Sequence, residues 1–120
     1  MLNLDTHVLL FALDGTLTAR ERRVLTSDTW SISAIVLWEI SKLHELGRIA
    51  LCLDSADLER VLGSIHVWPL DLEVCRAIAR LDFDSDPADE IIAATSLVHG
   101  APLLTRDRKL RGSRVVPLAR

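Results

Sequence analysis

The 120-residue sequence has few of the features that mark zinc proteins and membrane proteins. Its only two cysteines, Cys52 and Cys75, have no CxxC spacing and no histidine arranged beside them, so the sequence predicts buried, reduced thiols and no zinc site. No apolar run approaches the roughly 18 to 20 residues that a bilayer requires, and the N-terminus has no basic segment of the signal-peptide kind. We therefore expect a soluble, cytoplasmic protein.

Positive charge is also scarce when the chain is taken as a whole. Lys and Arg number 14 against 17 Asp and Glu, which gives a formal net charge of −3. The chain therefore has no global positive field that would attract a nucleic acid, and any such partner must be held locally. Repeats, low-complexity tracts and linkers are absent, while 49% hydrophobic residues suffice for one continuous core. The sequence predicts a single domain over residues 1–120.

Apolar runs of strand length alternate with periodic stretches of helix length. This alternation predicts an α/β domain with a largely parallel sheet. The predicted strands are residues 2–4, 30–32, 66–68, 102–105 and 115–116. The predicted helices are residues 6–13, 18–26, 34–46, 55–63, 71–80 and 87–99.

Four acidic residues occupy positions that folding alone would not explain. Asp5 directly follows the first apolar strand, at the carboxyl edge of the sheet, where ligands bind in open α/β folds. Glu39 shares a helical face with apolar residues, which is costly for an unpartnered carboxylate. Asp89 lies beside the small residues of its helix, and Asp107 follows the strand PLLT after one Arg. The four acids can thus converge on one place.

Converging carboxylates would repel one another without a cation, so a divalent metal ion is the natural partner. Oxygen ligands without His or Cys select Mg²⁺ or Mn²⁺. Such ions suit phosphodiester hydrolysis, because they generate and orient hydroxide and stabilise charge on the leaving oxygen. We therefore expect metal-dependent cleavage of a nucleic-acid backbone.

Four segments in series resemble the PIN-domain ribonucleases, and particularly the VapC-like toxins of type II toxin–antitoxin modules. The segments are LNLDTHVLLFAL, SAIVLWEISKLHELGRI, DPADEIIAATSLVHG and LLTRDRKL, which together span nearly the whole chain. The resemblance implies a three-layer α/β/α fold with a mainly parallel five-stranded sheet, commonly dimeric. It also implies cleavage of RNA with Mg²⁺ or Mn²⁺ and inhibition by a cognate antitoxin.

The same resemblance assigns roles to single residues. It matches the family's acidic metal-binding quartet, which would also be catalytic, to Asp5, Glu39, Asp89 and Asp107. It matches the family's supporting hydroxyls to Thr6 and Thr105. Glu90 is a departure, because many relatives carry Arg directly after the third acid, and the change bears on any phosphate or antitoxin contact made there.

Basic residues crowd a short stretch beside the last acid, with a smaller group near the start of the chain. The first comprises Arg106, Arg108, Lys109, Arg111 and Arg114, and the second comprises Arg20, Arg22 and Arg23. A charge run is usually a solvated face, but a phosphate backbone entering an acidic site needs a positive guide. We expect the 106–114 stretch to contact RNA phosphates, with Arg106, Arg108, Lys109 and Arg111 as the leading candidates.

Simpler roles compete with metal binding at several of these positions. Asp86 is predicted to be the N-cap of the helix that begins at Pro87, Asp107 can equally cap the turn DRKLRG, and Thr6 can cap the first helix. Glu39 could pair with Lys42 at helical spacing, although an exposed pair contributes only about 0.3 to 0.5 kcal/mol. The four histidines have no ligand spacing, and the three tryptophans are predicted to pack in strand or helix cores.

Three other functions are consistent with parts of the sequence. The segment FALDGTLT, residues 11–18, resembles the Asp-x-Asp-Gly-Thr loop of haloacid-dehalogenase-like phosphatases, but Ala12 replaces the nucleophile, so we expect a helix end and a glycine turn. A receiver domain with Asp54 as phosphoacceptor would need an acidic pair and a Lys-Pro that are missing. A PIN-like protein that keeps the acids but only binds or regulates a partner stays open.

Overall fold

Four short parallel strands form the centre of the structure. The computed structural model describes residues 1–120, in which the strands are β1 (Leu2–Leu4), β2 (Trp30–Ser33), β3 (His66–Trp68) and β4 (Leu103–Leu104). They are hydrogen-bonded in the order β3-β2-β1-β4, so β1 lies between two neighbours. Because all the strands run the same way, their carboxyl ends meet at one edge of the sheet.

The predicted fifth strand at residues 115–116 is wrong. Val115 is exposed, and the chain pairs with the sheet slightly later, where Leu118 forms an isolated parallel bridge with Leu103. The Leu103 N–H donates to the Pro117 carbonyl at 2.8 Å, and the Ala119 N–H donates to the Leu103 carbonyl at 2.9 Å. Since Pro117 has no N–H to donate, a longer ladder is disfavoured here. The sheet has four strands and a single bridging residue at the β4 edge.

Seven helices connect and flank the strands. They are α1 (Thr6–Asp14), α2 (Ala19–Thr26), α3 (Ala34–Glu45), α4 (Ala56–Leu62), α5 (Leu72–Ala77), α6 (Pro87–His99) and α7 (Arg108–Arg111). Five of the six predicted helices differ from these by at most one residue at either end. The sixth, residues 71–80, ends as α-helix at Ala77 and continues as a 3-10 turn. None of the helices has the length and apolarity to cross a membrane.

One apolar core of 15 buried residues joins the sheet to its helices. Leu4 and Ile32 from the strands meet Val36 and Ile40 of α3 and Ile92 of α6, and all five are 0% exposed. Burying one such side chain contributes about 1.5 to 3 kcal/mol relative to leaving it in water. The core therefore fixes α3 and α6 against the central strands.

The segment FALDGTLT contains the end of α1 and a turn, as predicted. Gly15 adopts a left-handed conformation with φ of 79°, and its N–H donates to the Phe11 carbonyl, which ends the helix. The Asp14 carboxylate accepts hydrogen bonds from the backbone and the hydroxyl of Thr16. Thr18 then opens α2 through a reciprocal capping box with Glu21. Asp14 is exposed and serves the turn.

Two predictions of burial are wrong. Cys75 is exposed and Cys52 is only partly buried, although both are free thiols as expected. Trp38 is 53% exposed, whereas Trp30 and Trp68 are partly buried and donate hydrogen bonds through their indole N–H groups. The periodicity of α3 explains the outlier, because Trp38 lies two positions from each of the buried Val36 and Ile40, and two positions are about 200° around a helix.

A buried amide ties α6 to the central strand. Asn3 of β1 is 0% exposed, and its Nδ2 donates to the Ile92 carbonyl at 3.1 Å and to Ser96 Oγ at 2.9 Å. The Ile92 carbonyl can only accept, so the amide nitrogen must face it. Both contacts join α6 to β1, the strand that precedes Asp5. They therefore help to fix the position of Asp89 on α6 relative to Asp5.

Asn3→Ala should lower the free energy of unfolding by about 2 to 3 kcal/mol, because two buried hydrogen bonds are lost and a small cavity is left. Ser96→Ala is the matched control: it removes one of the two acceptors and should cost only about 1 kcal/mol. Urea unfolding followed by circular dichroism measures both. Equal stability of Asn3→Ala and the wild type would contradict the role of Asn3.

Candidate metal site at the sheet edge

Asp5 is the buried acid at the end of the central strand. Its backbone N–H donates to the Leu104 carbonyl of β4 at 3.1 Å, and the residue is 6% exposed. Its Oδ1 accepts from the Thr6 N–H at 2.7 Å, and its Oδ2 accepts from Thr105 Oγ1 at 2.5 Å. Burial raises the pKa of Asp5 above its usual range, and the two hydrogen bonds oppose that rise. Each carboxylate oxygen keeps a second lone pair for another ligand.

Glu39 extends from α3 toward Asp5. Thr6 Oγ1 donates to Glu39 Oε1 at 2.5 Å, so Thr6 bonds to both acids: its N–H to Asp5 and its hydroxyl to Glu39. Burial raises the pKa of Glu39, and the nearby carboxylates of Asp89 and Asp5 raise it further. The sequence also allowed an ion pair between Glu39 and Lys42. This pair does not form, because Lys42 pairs with Glu45 at 3.3 Å. Glu39 therefore forms no salt bridge with a lysine or arginine.

Asp89 lies in the first turn of α6, where Ser85 Oγ donates to its Oδ2 at 3.0 Å. Burial raises the pKa of Asp89, and the negative charges of Asp5, Asp107 and Asp86 raise it further. The adjacent Glu90, which stands where many relatives carry Arg, accepts from the Ser85 N–H at 3.3 Å. Its carboxylate therefore bonds to the loop that precedes α6. The first turn of α6 thus holds the preceding loop through two neighbouring carboxylates.

The prediction that Asp86 caps α6 is only half right. Asp86 occupies the N-cap position, but its side chain accepts no capping hydrogen bond. Pro87 at the first helical position has no N–H and a fixed φ, so this helix start is favoured without a side-chain cap. The Asp86 side chain instead lines the same cleft as Asp5 and Glu39. It is a fifth acid at the site, and sequence reasoning missed this role.

Asp107 serves as a cap and also lines the cleft. Its Oδ1 accepts from the Lys109 N–H at 2.9 Å and the Leu110 N–H at 3.2 Å, which starts the short helix α7. The Asp107 N–H in turn donates to Thr105 Oγ1 at 3.0 Å. The capping role considered from the sequence is therefore confirmed. It uses only Oδ1, which leaves Oδ2 available to a ligand.

One open cleft of about 380 Å³ collects these carboxylates. It is lined by Asp5, His7, Phe11, Glu39, Asp86, Asp89, Arg106 and Asp107. The four acids predicted to converge come from four separate segments, and each predicted acid lies in this cleft. Burial first, and the neighbouring carboxylates second, raise the pKa values of Asp5, Glu39 and Asp89, and a divalent cation would offset both effects.

The arrangement fits a hydrated cation better than a closed protein cage. No three acidic, histidine or cysteine side chains are already arranged around a single point as metal ligands. Mg²⁺ usually keeps several of its waters and takes only one or two carboxylates, so such a cage is not required. The donors that the cleft offers are almost all carboxylate oxygens, which matches the ligand preference of Mg²⁺ and Mn²⁺.

Arg106 is exposed, but its guanidinium bonds to other groups of the protein. Its Nε and Nη2 donate to the two carboxylate oxygens of Glu21 at 2.8 and 2.7 Å, and Nη2 also reaches the Thr16 carbonyl at 3.3 Å. Its guanidinium lies 3.8 Å from the centre of the Phe11 ring. These contacts occupy Arg106, so its predicted contact with RNA gains no support from the geometry. Glu21 was not predicted, although the T-x-x-E spacing of Thr18 and Glu21 signals a capping box.

The other RNA-binding candidates are spread around α7. Arg108 is exposed, and Lys109 Nζ donates to the Asp84 carbonyl at 3.1 Å, beside the loop that precedes α6. Arg111 does not line the acidic cleft; it lines a separate cavity with Arg20. The basic stretch therefore does not form one continuous track along the acidic cleft.

Comparison with known proteins agrees with this architecture. The family model named PIN domain matches residues 3–113. Ribonuclease VapC22 of Mycobacterium tuberculosis (strain ATCC 25618 / H37Rv) is 30% identical over 99 residues, which cover 80% of this chain and 76% of that protein.

Two solved structures share the fold at low sequence identity. VapBC2 from Rickettsia felis, bound to a DNA fragment from its promoter, aligns with a TM-score of 0.75 at 17% identity and covers 98% of this chain and 97% of that one. A toxin-antitoxin complex from Klebsiella pneumoniae aligns with a TM-score of 0.68 at 17% identity and covers 93% and 92%. The predicted parallel sheet flanked by helices is thus confirmed, with four strands in place of five.

Thr105→Val should weaken Mn²⁺ binding by about 10- to 100-fold, because the variant keeps the shape but loses the hydroxyl that orients Asp5 and accepts from Asp107. Thr105→Ser keeps the hydroxyl and should stay near the wild type. Isothermal titration calorimetry measures both affinities. Equal Mn²⁺ affinity of the Val variant and the wild type would show that the hydroxyl does not position the acid.

Glu21→Gln should lower the free energy of unfolding at pH 7 on the order of 1 to 2 kcal/mol, because Arg106 loses its charged acceptor. Hydrogen bonds from Arg106 lower the pKa of Glu21 from 4.5 to about 2. The ion pair therefore stabilises the fold fully above pH 4.5, and this contribution is lost as the pH falls toward 2. Urea unfolding at several pH values should show the gap between wild type and variant narrowing below pH 4.5.

The exposed Glu45 is the matched control, since Glu45→Gln removes a carboxylate whose ion pair is solvent-exposed. It should change the free energy of unfolding by less than about 0.5 kcal/mol at any of these pH values. A gap for Glu21→Gln that does not depend on pH would mean that the charge of Glu21 is not what stabilises α2 against the 105–107 segment.

Proposed function

The chain belongs to the PIN-domain family, and on that premise we propose that it is a divalent-metal-dependent endoribonuclease. The relative that is 30% identical is named a ribonuclease. The observation that carries the proposal is the meeting of carboxylates from four segments, Asp5, Glu39, Asp89 and Asp107, in one open cleft. A fold-stabilising role does not explain this arrangement, since like charges placed together cost free energy.

Mg²⁺ or Mn²⁺ is the proposed cofactor, and the four acids would hold it, some directly and the others through its waters. When bound, the cation supplies Lewis acidity and neutralises the charge that develops at phosphorus and on the leaving oxygen. Thr105 and Thr6 orient the two acids nearest the sheet: Thr105 Oγ1 directs its proton to Asp5 Oδ2, and Thr6 Oγ1 directs its proton to Glu39 Oε1. These hydroxyls fix which carboxylate oxygens are left for the cleft.

A cleft carboxylate also supplies the base for hydrolysis. The attacking water must give up a proton as its oxygen bonds to phosphorus, and the bond from phosphorus to the leaving oxygen then breaks. Glu39 suits this role by position, because it lines the cleft, and in the metal-free protein burial and the neighbouring carboxylates raise its pKa. Its Oε2 makes no hydrogen bond within the protein, whereas Oε1 is bonded to Thr6.

The biological role that we propose is the toxin of a type II toxin–antitoxin module. The named relative and the fold neighbours support it, since one neighbour is a toxin-antitoxin complex. The proposed partners are an RNA substrate, a cognate antitoxin protein and a second copy of the chain in a homodimer. Size-exclusion chromatography with light scattering tests the dimer.

Binding without turnover is the second candidate function. One observation favours it: the acids are close, but no three of them are already arranged as ligands of one metal ion. A PIN-fold protein of this kind would use the cleft for a partner and would hydrolyse nothing. Measuring cleavage with and without metal separates the two.

Asp5→Asn and Glu39→Gln should each lower metal-dependent RNA cleavage by about 100-fold or more, since loss of partners outside the ligand shell alone typically costs 10- to 100-fold. The assay uses purified protein, a panel of RNAs, and Mg²⁺ or Mn²⁺, with EDTA expected to abolish cleavage. Asp14→Asn is the matched control, because it removes an exposed acid that only serves a turn. Its cleavage rate should stay near the wild type.

Two outcomes would contradict the nuclease. If folded, antitoxin-free protein cleaves no RNA with either metal, the binding role becomes the better account. If cleavage persists in EDTA or in Asp5→Asn, the acidic cleft is not the site of hydrolysis.

A further inference from the structure

A second cavity, of about 190 Å³, shares the segment 105–107 with the acidic cleft. The hydroxyl of Thr105 donates to Asp5, while the residue also lines this second cavity. The next two residues, Arg106 and Asp107, line the acidic cleft. The segment 105–107 is therefore the wall between two hollows.

The charge of the second cavity is opposite to that of the cleft. Arg20 of α2, Arg111 of α7 and Arg120 contribute guanidinium groups, and the rest of its lining is Thr105 and apolar residues from β4 and from residues 118–119. A neighbouring hollow continues the same surface, because Arg20 and Arg120 line it together with Arg23. In a chain with a net charge of −3, four arginines are concentrated on one surface.

None of these arginines is neutralised by a carboxylate. The four ion pairs of the structure involve other basic groups. The one hydrogen bond that Arg20 donates is long, 3.5 Å to the Ala119 carbonyl. Arg106 shows the contrast, since Glu21 pairs with it through two hydrogen bonds. Unpaired guanidiniums that share a hollow repel one another, and an anion placed between them removes that repulsion.

We propose that this arginine cavity, lined by Arg20, Arg111 and Arg120, binds a backbone phosphate of the RNA substrate away from the bond that is cut. The proposal rests on the ribonuclease function proposed above. A guanidinium donates two parallel hydrogen bonds to phosphate oxygens, which makes arginine the preferred partner of this group. The small volume suits one phosphate, and the shared wall at Thr105 places it next to the cleft.

The electrostatics of the cleft explain why such an anchor is needed. Five carboxylates line the cleft, and its one arginine is already paired with Glu21. Before a metal ion binds, this surface repels a phosphate backbone. If the arginine cavity holds one phosphate of the RNA, the strand stays near the cleft although the acids repel it. The phosphate that is cut is then a different one from the phosphate that is held.

The test measures binding of a labelled single-stranded RNA of about 12 nucleotides to full-length protein by fluorescence anisotropy in EDTA. All proteins carry Asp5→Asn so that the RNA stays intact, and the salt concentration is varied. Each lost phosphate contact should lower the slope of log affinity against log salt by about 0.7. The double variant Arg20→Gln/Arg111→Gln removes the one proposed phosphate contact, so it should lose about 0.7 from the slope and bind more weakly at low salt.

The matched control is Arg76→Gln/Arg80→Gln, which removes the same charge from exposed arginines that line neither hollow. This control should show the same slope of log affinity against log salt as the Asp5→Asn protein. Thermal unfolding of each protein establishes that a weaker binder is folded, and the exposed positions of Arg20 and Arg111 favour that result.

The outcomes separate this inference from the proposed function. An unchanged salt slope in the Arg20→Gln/Arg111→Gln protein overturns the arginine cavity, whereas cleavage by the wild type with Mg²⁺, measured in parallel, decides the nuclease. A glutamate-rich peptide of the same net charge as the RNA is the second probe. If the double variant loses affinity for the peptide but not for RNA, the cavity serves an acidic protein partner and the inference is wrong.

Discussion

The burial of one carboxylate, Asp5, at the end of the central strand is the constraint on which the rest of the site depends. Removing a charged group from water costs several kcal/mol unless hydrogen bonds replace the water. Two donors do so here: the Thr6 N–H at the start of α1 and the Thr105 hydroxyl at the end of β4. The first donor is the neighbouring residue in the chain, but the Thr105 hydroxyl is in place only when β4 lies beside β1, as the pairing of Leu4 with Leu104 ensures. Folding of the sheet and construction of the site are therefore the same event.

From that point the network extends outward through short side chains. Thr6 joins Asp5 to Glu39, and Thr105 joins Asp5 to Asp107. Neither threonine carries charge, so each holds two polar neighbours in place without neutralising them. The carboxylates thus stay close while their repulsion persists, and the cleft remains receptive to a cation. Arg106 lines the same cleft, but Glu21 pairs with it, so the protein adds little net positive charge of its own there.

Local sequence rules predicted most of the helices and the four acids. Asp5 was predictable because it directly follows an apolar strand, Asp107 because it follows one after a single Arg, and Glu39 because it shares a helical face with buried residues. What failed depends on contacts between distant segments. The pairing of Arg106 with Glu21 spans 85 positions, and no local pattern contains it. The fifth strand was misplaced because hydrophobicity favours Val115, whereas hydrogen bonding to β4 favours Leu118. Asp86 has the sequence of a cap, and only the direction of its side chain reveals a place in the cleft.

The acids differ in how firmly they are held, and that difference suits a hydrated metal ion. Asp5 and Glu39 accept short hydrogen bonds of 2.5 Å from side-chain hydroxyls and extend from a strand end and a long helix. Asp89 rests on a longer bond of 3.0 Å from a loop serine, and Asp107 heads a helix of only four residues. Mg²⁺ demands near-octahedral geometry and gives up water reluctantly, so one or two firmly held carboxylates are enough to bind it. Asp5 and Glu39 would be that pair, while Asp89 in the first turn of α6 and Asp107 at the start of α7 would reach the cation directly or through its waters.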